Sequence, residues 1–426
     1  MELRGKKVLI VGFGKSGQAA LRYLLSEGAL PAVTDVREAP VLAKAMEPFQ
    51  NIPSSREAAL RGRLHPALPV EGATRAPTID WFLGTHDPVV FTKADLIVVS
   101  PGVPWNLPPL KEARAKGIPI ASELELALRR MSHDACRMTL IAVTGTNGKT
   151  TTVHLIDHLL KQAGKKSLLA GNVGVPLLDC LEEAKSQEFL VLEISSYQME
   201  STPSLKPDVA CFLNITEDHL DWHESFEKYL LAKMKLIRQT APKGLAIYNG
   251  DDAVVQTAVE QIPSKRLMFS TKRCLKLGGW VEEGKLILKT GLKEKPISLD
   301  LSKVPLKGIH NWENMLSALL AVSPYIRGGE ILQKGLDSFR PLPHRMEVVR
   351  EKSGVTYIND TKGTNVGAAI KALASVKGPV LWIAGGRDKG GSYEPLKSLV
   401  KKKSGKCIFW ERRRRKCEKS FKIAER

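Results

Sequence analysis

Cysteine is scarce in this chain. Six occur in 426 residues and no two form a CxxC pair, which excludes a disulfide framework and the usual zinc-site spacings and points to a reducing compartment, the cytoplasm. Long apolar runs are missing too. None approaches the roughly 18 residues of a membrane span, and the N-terminus leads directly into a strand with no signal-peptide apolar region, so neither membrane insertion nor export is expected. Aromatic residues make up only 6%. Beside the arginine run near the C-terminus stand only Phe409 and Trp410, whereas nucleic-acid grooves interleave aromatics with cations. The formal charge of +19 would otherwise suggest a polyanionic partner. Residues 401–426 carry +9 of it, twelve Lys or Arg against three Glu, and the remaining body is moderately basic, as suits a protein handling polyphosphates. No nucleic-acid partner is expected. What remains is ordinary globular composition, 43% hydrophobic and 26% charged, in a length that fits about two to four domains.

The strongest signal present is Thr144-Gly145-Thr146-Asn147-Gly148-Lys149-Thr150. It follows an apolar run, Leu140-Ile141-Ala142-Val143, and precedes Val153, Ile156, Leu159 and Leu160 at helical spacing. A loop between a strand and a helix aims backbone N–H groups and a helix N-terminus at one anion. Lys149 supplies a point charge to the β- and γ-phosphates, and the Thr150 hydroxyl is the usual Mg²⁺ ligand in such a loop, so ATP is the expected ligand. The longer form of this motif has glycine five places before Gly148. Val143 stands there, which makes the loop a shortened variant.

The N-terminal segment begins as βαβ: Lys7-Val8-Leu9-Ile10-Val11, then Gly12-Phe13-Gly14-Lys15-Ser16-Gly17, a helix through Leu25 and a strand ending near Asp35. The glycine spacing followed by an acid fits a dinucleotide fingerprint, and it equally fits another nucleotide diphosphate or no ligand. A later strand, Leu96-Ile97-Val98-Val99, ends in Ser100-Pro101-Gly102. Residues 49–80, rich in Pro, Gly and Arg with little periodicity, read as a surface insertion.

Further polar residues sit at strand ends. Glu193 follows Phe189-Leu190-Val191-Leu192, where a second metal ligand or a plain surface acid would stand. His219 follows Val209-Ala210-Cys211-Phe212-Leu213 in an acidic setting, fit for a metal or for a structural role. Lys233, on the amphipathic stretch Tyr229–Lys235, reads as a solvated helix lysine. Asn311 and Asn314 open a helix after Gly308, as caps or as partners of an adenine edge. Arg345, Asp360 and Lys362 are charges at loop and strand ends where a ligand could be met.

Taken together, Thr144–Thr150, Gly171-Asn172, Glu193–Gln198, Asn214–His219, His310-Asn311 with Asn314, Leu342–Arg345 and Asn359–Asn365 make the chain resemble the Mur ligase family, in order, over residues 1 to about 400. The first segment with Ser100-Pro101-Gly102 resembles the D-glutamate-adding branch. The resemblance implies an α/β chain of three domains: a Rossmann-like UDP-sugar domain over 1–136, a central P-loop ATPase-like domain over 137–340, and a C-terminal Rossmann-like domain over 341–426. It implies ATP-dependent ligation of D-glutamate to UDP-N-acetylmuramoyl-L-alanine through an acyl phosphate, by a cytoplasmic monomer of peptidoglycan synthesis. In the roles so implied, Gly145, Thr146, Asn147, Gly148, Lys149, Thr150, Thr151, Asn311, Asn314, Arg345 and Asp360 hold ATP. Thr150, Glu193, His219 and a carbamylated Lys233 hold two Mg²⁺ ions, with Lys149, Glu193, His219 and Lys233 at the chemistry. Lys15, Ser16, Asp35, Ser100, Gly102 and Asn172 meet the UDP-sugar substrate, Lys362, Thr364 and Lys389 meet D-glutamate, and Ser195 is a further substrate-binding residue. NAD is then not expected. Other amide ligases of the superfamily, the alanine-adding enzyme and folylpolyglutamate synthase, are the nearest rivals, and the folate enzyme begins with its ATP domain.

The likeness fades after Gly385-Gly386-Arg387-Asp388-Lys389-Gly390. Lys406–Cys417 reads neither as core nor as an amphipathic helix. Encoded one base out of frame, Phe409–Cys417 can instead spell Leu-Gly-Glu-Ala-Ala-Glu-Lys-Met, which resembles the family. A frameshift near residue 404 is therefore expected, with a third domain cut short, a basic tail of no selected function, and an impaired or inactive ATP-binding remnant as the alternative to an active ligase.

Overall fold

The computed structural model describes residues 2–55, 78–133, 138–376, 378–385 and 392–410. Most of the expected 49–80 insertion, Lys389 and the chain beyond Trp410 lie outside them. The fold is α/β, as expected.

One sheet comprises β1 (Lys7–Val11), β2 (Leu30–Asp35), β3 (Asp80–Leu83), β4 (Leu96–Val99) and β5 (Ile120–Ser122), in the order β3-β2-β1-β4-β5. All of its pairs are parallel. Covered on both faces, such strands read as continuous apolar runs. Leu9, Val11, Ile97 and Val99 accordingly form a core with Phe91, Leu110 and Ala113. Helix α1 (Lys15–Ser26) follows β1 so closely that a Cβ on Gly17 would stand 2.2 Å from the Gly12 carbonyl oxygen. Helix α2 (Glu123–His133) follows β5.

The larger sheet adds β6 (Thr139–Thr144), β7 (Ser167–Gly171), β8 (Phe189–Glu193), β9 (Val209–Phe212), β10 (Leu245–Asn249), β11 (Lys265–Ser270), β12 (Gly278–Glu282), β13 (Lys285–Lys289) and β14 (Ile297–Asp300). Its order is β14-β13-β12-β11-β10-β9-β6-β8-β7. From β6 through β9, β10 and β11 to β12 the pairing is parallel, and β12-β13-β14 is an antiparallel edge. Helix α3 (Lys149–Gln162) buries Val153, Ile156, Leu159 and Leu160, the predicted stripe. Helix α4 spans Phe226–Arg238, and α5 (Ile309–Val322) is buried from Asn314 onward.

The C-terminal residues form an antiparallel ribbon of β15 (Glu347–Lys352) and β16 (Val355–Asn359), helix α6 (Val366–Ser375), and a parallel pair of β17 (Val380–Gly385) and β18 (Ser404–Trp410). Residues 404–410, where the aberrant tail is expected to begin, extend and pair along β17 with Trp382 opposite Cys407 and Ile383 opposite Ile408. The run Cys407-Ile408-Phe409-Trp410 is of the β-branched and aromatic kind that favours strands.

The described residues divide into two compact units. One holds 1–138, 168–190 and 194–205, and the other holds 139–167, 191–193 and 206–426.

Candidate active site around the phosphate loop

In the second unit the turn from β6 into α3 is built on two glycines that admit no side chain. Gly145 has φ 148°, and a Cβ there would meet Leu213 Cβ at 3.0 Å. Gly148, the N-cap of α3, has φ 88°, and its Cβ would stand 2.2 Å from Asn314 Oδ1. The loop is held from the end of β9. Thr146 N donates to the Asn214 carbonyl (3.0 Å), Asn147 N to Asn214 Oδ1 (2.9 Å), and Asn214 Nδ2 returns a bond to the Asn147 carbonyl (3.0 Å). Thr146 Oγ1 lies 3.1 Å from the Tyr229 hydroxyl and accepts from Thr216 N. The result is a preset cradle of backbone donors at a helix N-terminus.

Two lysines share this loop. Lys149 Nζ donates to the carbonyls of Gly145 and Thr146, both at 2.9 Å. Lys233 Nζ reaches the same Gly145 carbonyl from α4 at 2.8 Å and stands 4.7 Å from the centre of the Tyr229 ring. Lys233 is only 2% exposed, which corrects its reading as a solvated helix lysine. Tyr229, Lys233 and Leu236 occupy one apolar stripe of α4, so the helical spacing itself marked the position as inward. Burial, and after it the charge of Lys149, pushes the Lys233 amine well below the ordinary lysine range against the opposing pull of Asp218 and Glu193.

Glu193, at the end of β8 and 2% exposed, accepts a hydrogen bond from Thr150 Oγ1 at 2.8 Å. Arg345 Nη2 donates to the same hydroxyl at 2.7 Å. Burial lowers the Arg345 pKa, opposed by Glu193 and Asp360. Burial also raises the Asp360 pKa, although its carboxylate accepts the Met346 N–H at 3.1 Å and faces Arg345. His219 has φ 55° and donates its backbone N–H to Asp218 Oδ1 at 3.0 Å, with its Nε2 3.6 Å from Asp218 Oδ2. One cleft gathers Asn147, Gly148, Thr151, Asn311, Asn314, Arg345, Asp360 and Lys362, while Thr364 lines a neighbouring open groove. The sequence reading thus named residues that the fold does bring together.

Glu193 and Thr150 fit Mg²⁺. They are hard oxygen donors at one spot, and Mg²⁺ takes only one or two protein ligands beside phosphate and water. No cluster of three or more His, Cys, Asp or Glu able to hold a metal stands among the described residues. Asn214, Asp218, Tyr229 and Asn365 were not singled out as site residues, yet they carry the hydrogen bonds that fix the loop.

In the first unit the glycine loop has its own lock. Asp35 Oδ2 accepts the Phe13 N–H at 2.7 Å, and Ser100 Oγ donates to the Gly12 carbonyl at 2.7 Å. Arg37 grips Asp35 with its backbone N–H, Nε and Nη2. Burial would raise the Asp35 pKa, but these donors outweigh it and bring it to about 2. Lys15 opens α1 beside this lock, and Gly102 turns with φ 91° after β4. Ser195 caps the short helix Ser196–Met199 in a capping box with Gln198, so its hydroxyl already has a structural task.

The Mur ligase middle domain matches residues 143–322, and the N-terminal domain described as Mur ligase, MurD-like, matches 6–59 and 63–122. A UDP-N-acetylmuramoylalanine--D-glutamate ligase of Geobacter sp. (strain M21) is 37% identical over 400 residues, 94% of this chain and 81% of that protein. The chain belongs to the Mur ligase family. A second relative of the same name, from Acidobacterium capsulatum, is 38% identical over 403 residues, 94% of this chain and 80% of that protein. Among solved structures, the MurF ligase of Thermotoga maritima in complex with ADP superimposes with a TM-score of 0.54 at 20% identity, covering 96% of this chain and 86% of that one. UDP-N-acetylmuramate-alanine ligase MurC from the same organism gives 0.54 at 18% identity, covering 99% and 94%. These two establish that this Mur ligase has the fold of the family.

Proposed function

We propose that this Mur ligase joins D-glutamate to UDP-N-acetylmuramoyl-L-alanine with ATP, in peptidoglycan precursor synthesis. The observation that carries the reading is the Glu193–Thr150–Arg345 cluster at the mouth of a preset phosphate loop, in a chain that resembles curated D-glutamate ligases over most of its length.

The γ-phosphoryl group passes to the alanyl carboxylate. The amine of D-glutamate then attacks the acyl phosphate, a C–N bond forms, and phosphate leaves from the tetrahedral intermediate as the amine loses its proton. The protein's share is positioning and charge neutralisation. The loop amides and Lys149 hold the transferring group, and Arg345 and Asp360 orient the nucleotide beside Asn311 and Asn314. Thr150 and Glu193 would hold one Mg²⁺, and His219 with Lys233 a second; Mg²⁺ supplies neutralisation of phosphate charge. Lys233, whose pKa burial lowers, is the amine that can add to carbon dioxide, losing a proton as the N–C bond forms, and its carbamate would present oxygen where the free side chain presents nitrogen. Asp35, Lys15, Ser16, Ser100, Gly102 and Asn172 are assigned to the UDP-sugar substrate, Lys362, Thr364 and Lys389 to D-glutamate, and Ser195 to substrate binding. The three-domain division at 136/137 and 340/341, a monomer and a cytoplasmic location belong to the same proposal. No helix among the described residues is long and apolar enough to cross a membrane. Nothing observed favours a non-catalytic remnant over this reading.

The test is phosphate release by the purified chain with ATP, Mg²⁺ and UDP-N-acetylmuramoyl-L-alanine, with and without D-glutamate. Release that requires D-glutamate is expected. Release driven equally by L-alanine or a diamino acid, or none with nucleotide still bound, would overturn the assignment.

A further inference from the structure

The residue that ties the parts of the second unit's site together is one to which no role has been given. Asn365 is the N-cap of α6, and its Oδ1 accepts the Ala368 N–H at 2.8 Å. That backbone bond fixes the amide's orientation, because only an oxygen can accept there. The Nδ2 group is thereby turned outward, and both partners it meets belong to the site. It donates to Asp218 Oδ2 at 3.1 Å and to Asn147 Oδ1 at 3.0 Å, and Asn147 Nδ2 answers to Asn365 Oδ1 at 3.3 Å. Asn147 belongs to the phosphate loop, and Asp218 accepts the His219 backbone N–H and lies 3.6 Å from its ring Nε2. Asn365 follows directly on Lys362-Gly363-Thr364. The contact is close-packed: a Cβ on Gly367, in the first turn of α6, would lie 3.0 Å from Thr216 Oγ1 and 3.4 Å from Asn147 Nδ2.

We propose that Asn365 is a positioning residue that locks the phosphate loop, the Asp218–His219 pair and the start of α6 into one arrangement, so that the segment assigned to D-glutamate is held in register with the nucleotide. Its amide is engaged by Ala368, Asn147 and Asp218, and it acts through the last two. The link has a polarity. An acceptor is required toward Ala368 and a donor toward Asp218; the amide supplies both at this span, whereas a carboxylate has no donor and a serine hydroxyl lacks the reach.

Two variants separate this role from simple capping. Asn365→Ser and Asn365→Asp both retain a good helix N-cap. Serine is too short for the outward bonds, and aspartate sets a carboxylate against Asp218. Binding of N-methylanthraniloyl-ADP with Mg²⁺ is measured first, because it does not depend on the ligase reading. Loss of two neutral hydrogen bonds to Asn147 and one charge-assisted bond to Asp218 corresponds to about tenfold or more weaker binding in Asn365→Ser and more in Asn365→Asp, with melting temperatures within a few degrees of the parent. The second arm rests on the proposed reaction: kcat for D-glutamate-dependent phosphate release falls by about tenfold or more, while KM for UDP-N-acetylmuramoyl-L-alanine stays within twofold. Unchanged nucleotide binding in Asn365→Ser would overturn the proposal, as would a uniform rise in every KM with a fallen melting temperature. A parent chain with no phosphate release would defeat the reaction assignment and leave the binding arm to judge Asn365.

Discussion

Lys233 and Lys149 donate to the same carbonyl oxygen, that of Gly145, at 2.8 and 2.9 Å. Two ammonium groups on one acceptor repel each other, and the buried member yields: the Lys233 pKa is driven well down by burial and by Lys149. A lowered pKa enlarges the share of free amine, the nucleophilic form, which is the chemical basis for assigning Lys233 a carbamate. Lys233→Met should lower the rate of D-glutamate-dependent phosphate release by on the order of 10²–10³, and the parent enzyme should lose activity in buffer stripped of carbon dioxide and recover it with bicarbonate. A parent rate indifferent to bicarbonate, with no carbamate signal from ¹³C-labelled bicarbonate, would sink the assignment. The folded chain binds fewer protons than the unfolded one between the lowered pKa and the ordinary lysine range. Lys233 therefore contributes stability above that range that is lost as pH falls through the window, and the methionine variant should not show this loss.

Gly148 offers a test of the cradle that does not touch a charge. Its φ of 88° disfavours any side chain, by about 1–2 kcal/mol for an alanine, and the added Cβ would stand 2.2 Å from Asn314 Oδ1, itself buried in α5. Gly148→Ala should weaken ATP binding by about 100-fold or more in isothermal titration, while the far-ultraviolet circular dichroism of the chain is retained. Binding at parental strength would mean that the loop can rearrange, and with it the claim that it is preset would fall.

How far this site could be read without coordinates differs from residue to residue. The strand–loop–helix context of Gly145–Thr150 was legible because glycine at positive φ, an apolar run and a 3.6-residue period are local properties. So were β1, α1 and β2, with Asp35 at the strand's end. The burial of Lys233 was not, because lysine defaults to solvent, and only the stripe of Tyr229 and Leu236 on either side argues otherwise. Glu193 and Arg345 meet on Thr150 across 43 and 195 residues of chain, and no periodicity encodes a pairing at that separation. The resemblance to the family gathered them instead. The pairing of β18 with β17 was not legible, because a parallel partner strand leaves no local periodicity in the sequence.

Glu123, at the start of α2, is a buried acid outside the proposed chemistry. It is 4% exposed and accepts the Leu178 N–H at 2.7 Å. Burial raises its pKa from 4.5 to about 7, and that backbone donor only partly offsets the rise. With the folded pKa above the unfolded one, its contribution is fully present below pH 4.5 and is lost as pH rises through about 7. Glu123→Gln keeps an oxygen for Leu178 and cannot ionise. It should leave stability at pH 5 nearly unchanged and raise it at pH 8 by on the order of 1–3 kcal/mol, read from urea unfolding at the two pH values. Equal effects at both would show that the carboxyl stays ionised throughout.

Asp35 runs the opposite way. Its side chain takes the Phe13 N–H from the glycine loop and the fork of Arg37, and its pKa sits at about 2 although burial acts to raise it. A depressed carboxylate contributes stability above its unfolded pKa of 3.8 that is lost as pH falls through about 2. The Arg37 side chain is 45% exposed, so solvent screens the pair and the contribution is about 1 kcal/mol, less than the shift alone would give. Asp35→Asn keeps an acceptor for Phe13 and discards the charge that holds Arg37. The variant should therefore lose about 1 kcal/mol at pH 7 and almost nothing at pH 2, while the KM for UDP-N-acetylmuramoyl-L-alanine rises by about tenfold and that for ATP stays put. The two losses have separate origins, one in the ion pair with Arg37 and one in the carboxylate charge assigned to the UDP-sugar substrate, because the Phe13 bond is kept. If the KM for ATP rose in step, Asp35 would be acting on the whole enzyme and its assignment to the UDP-sugar substrate would have to be withdrawn.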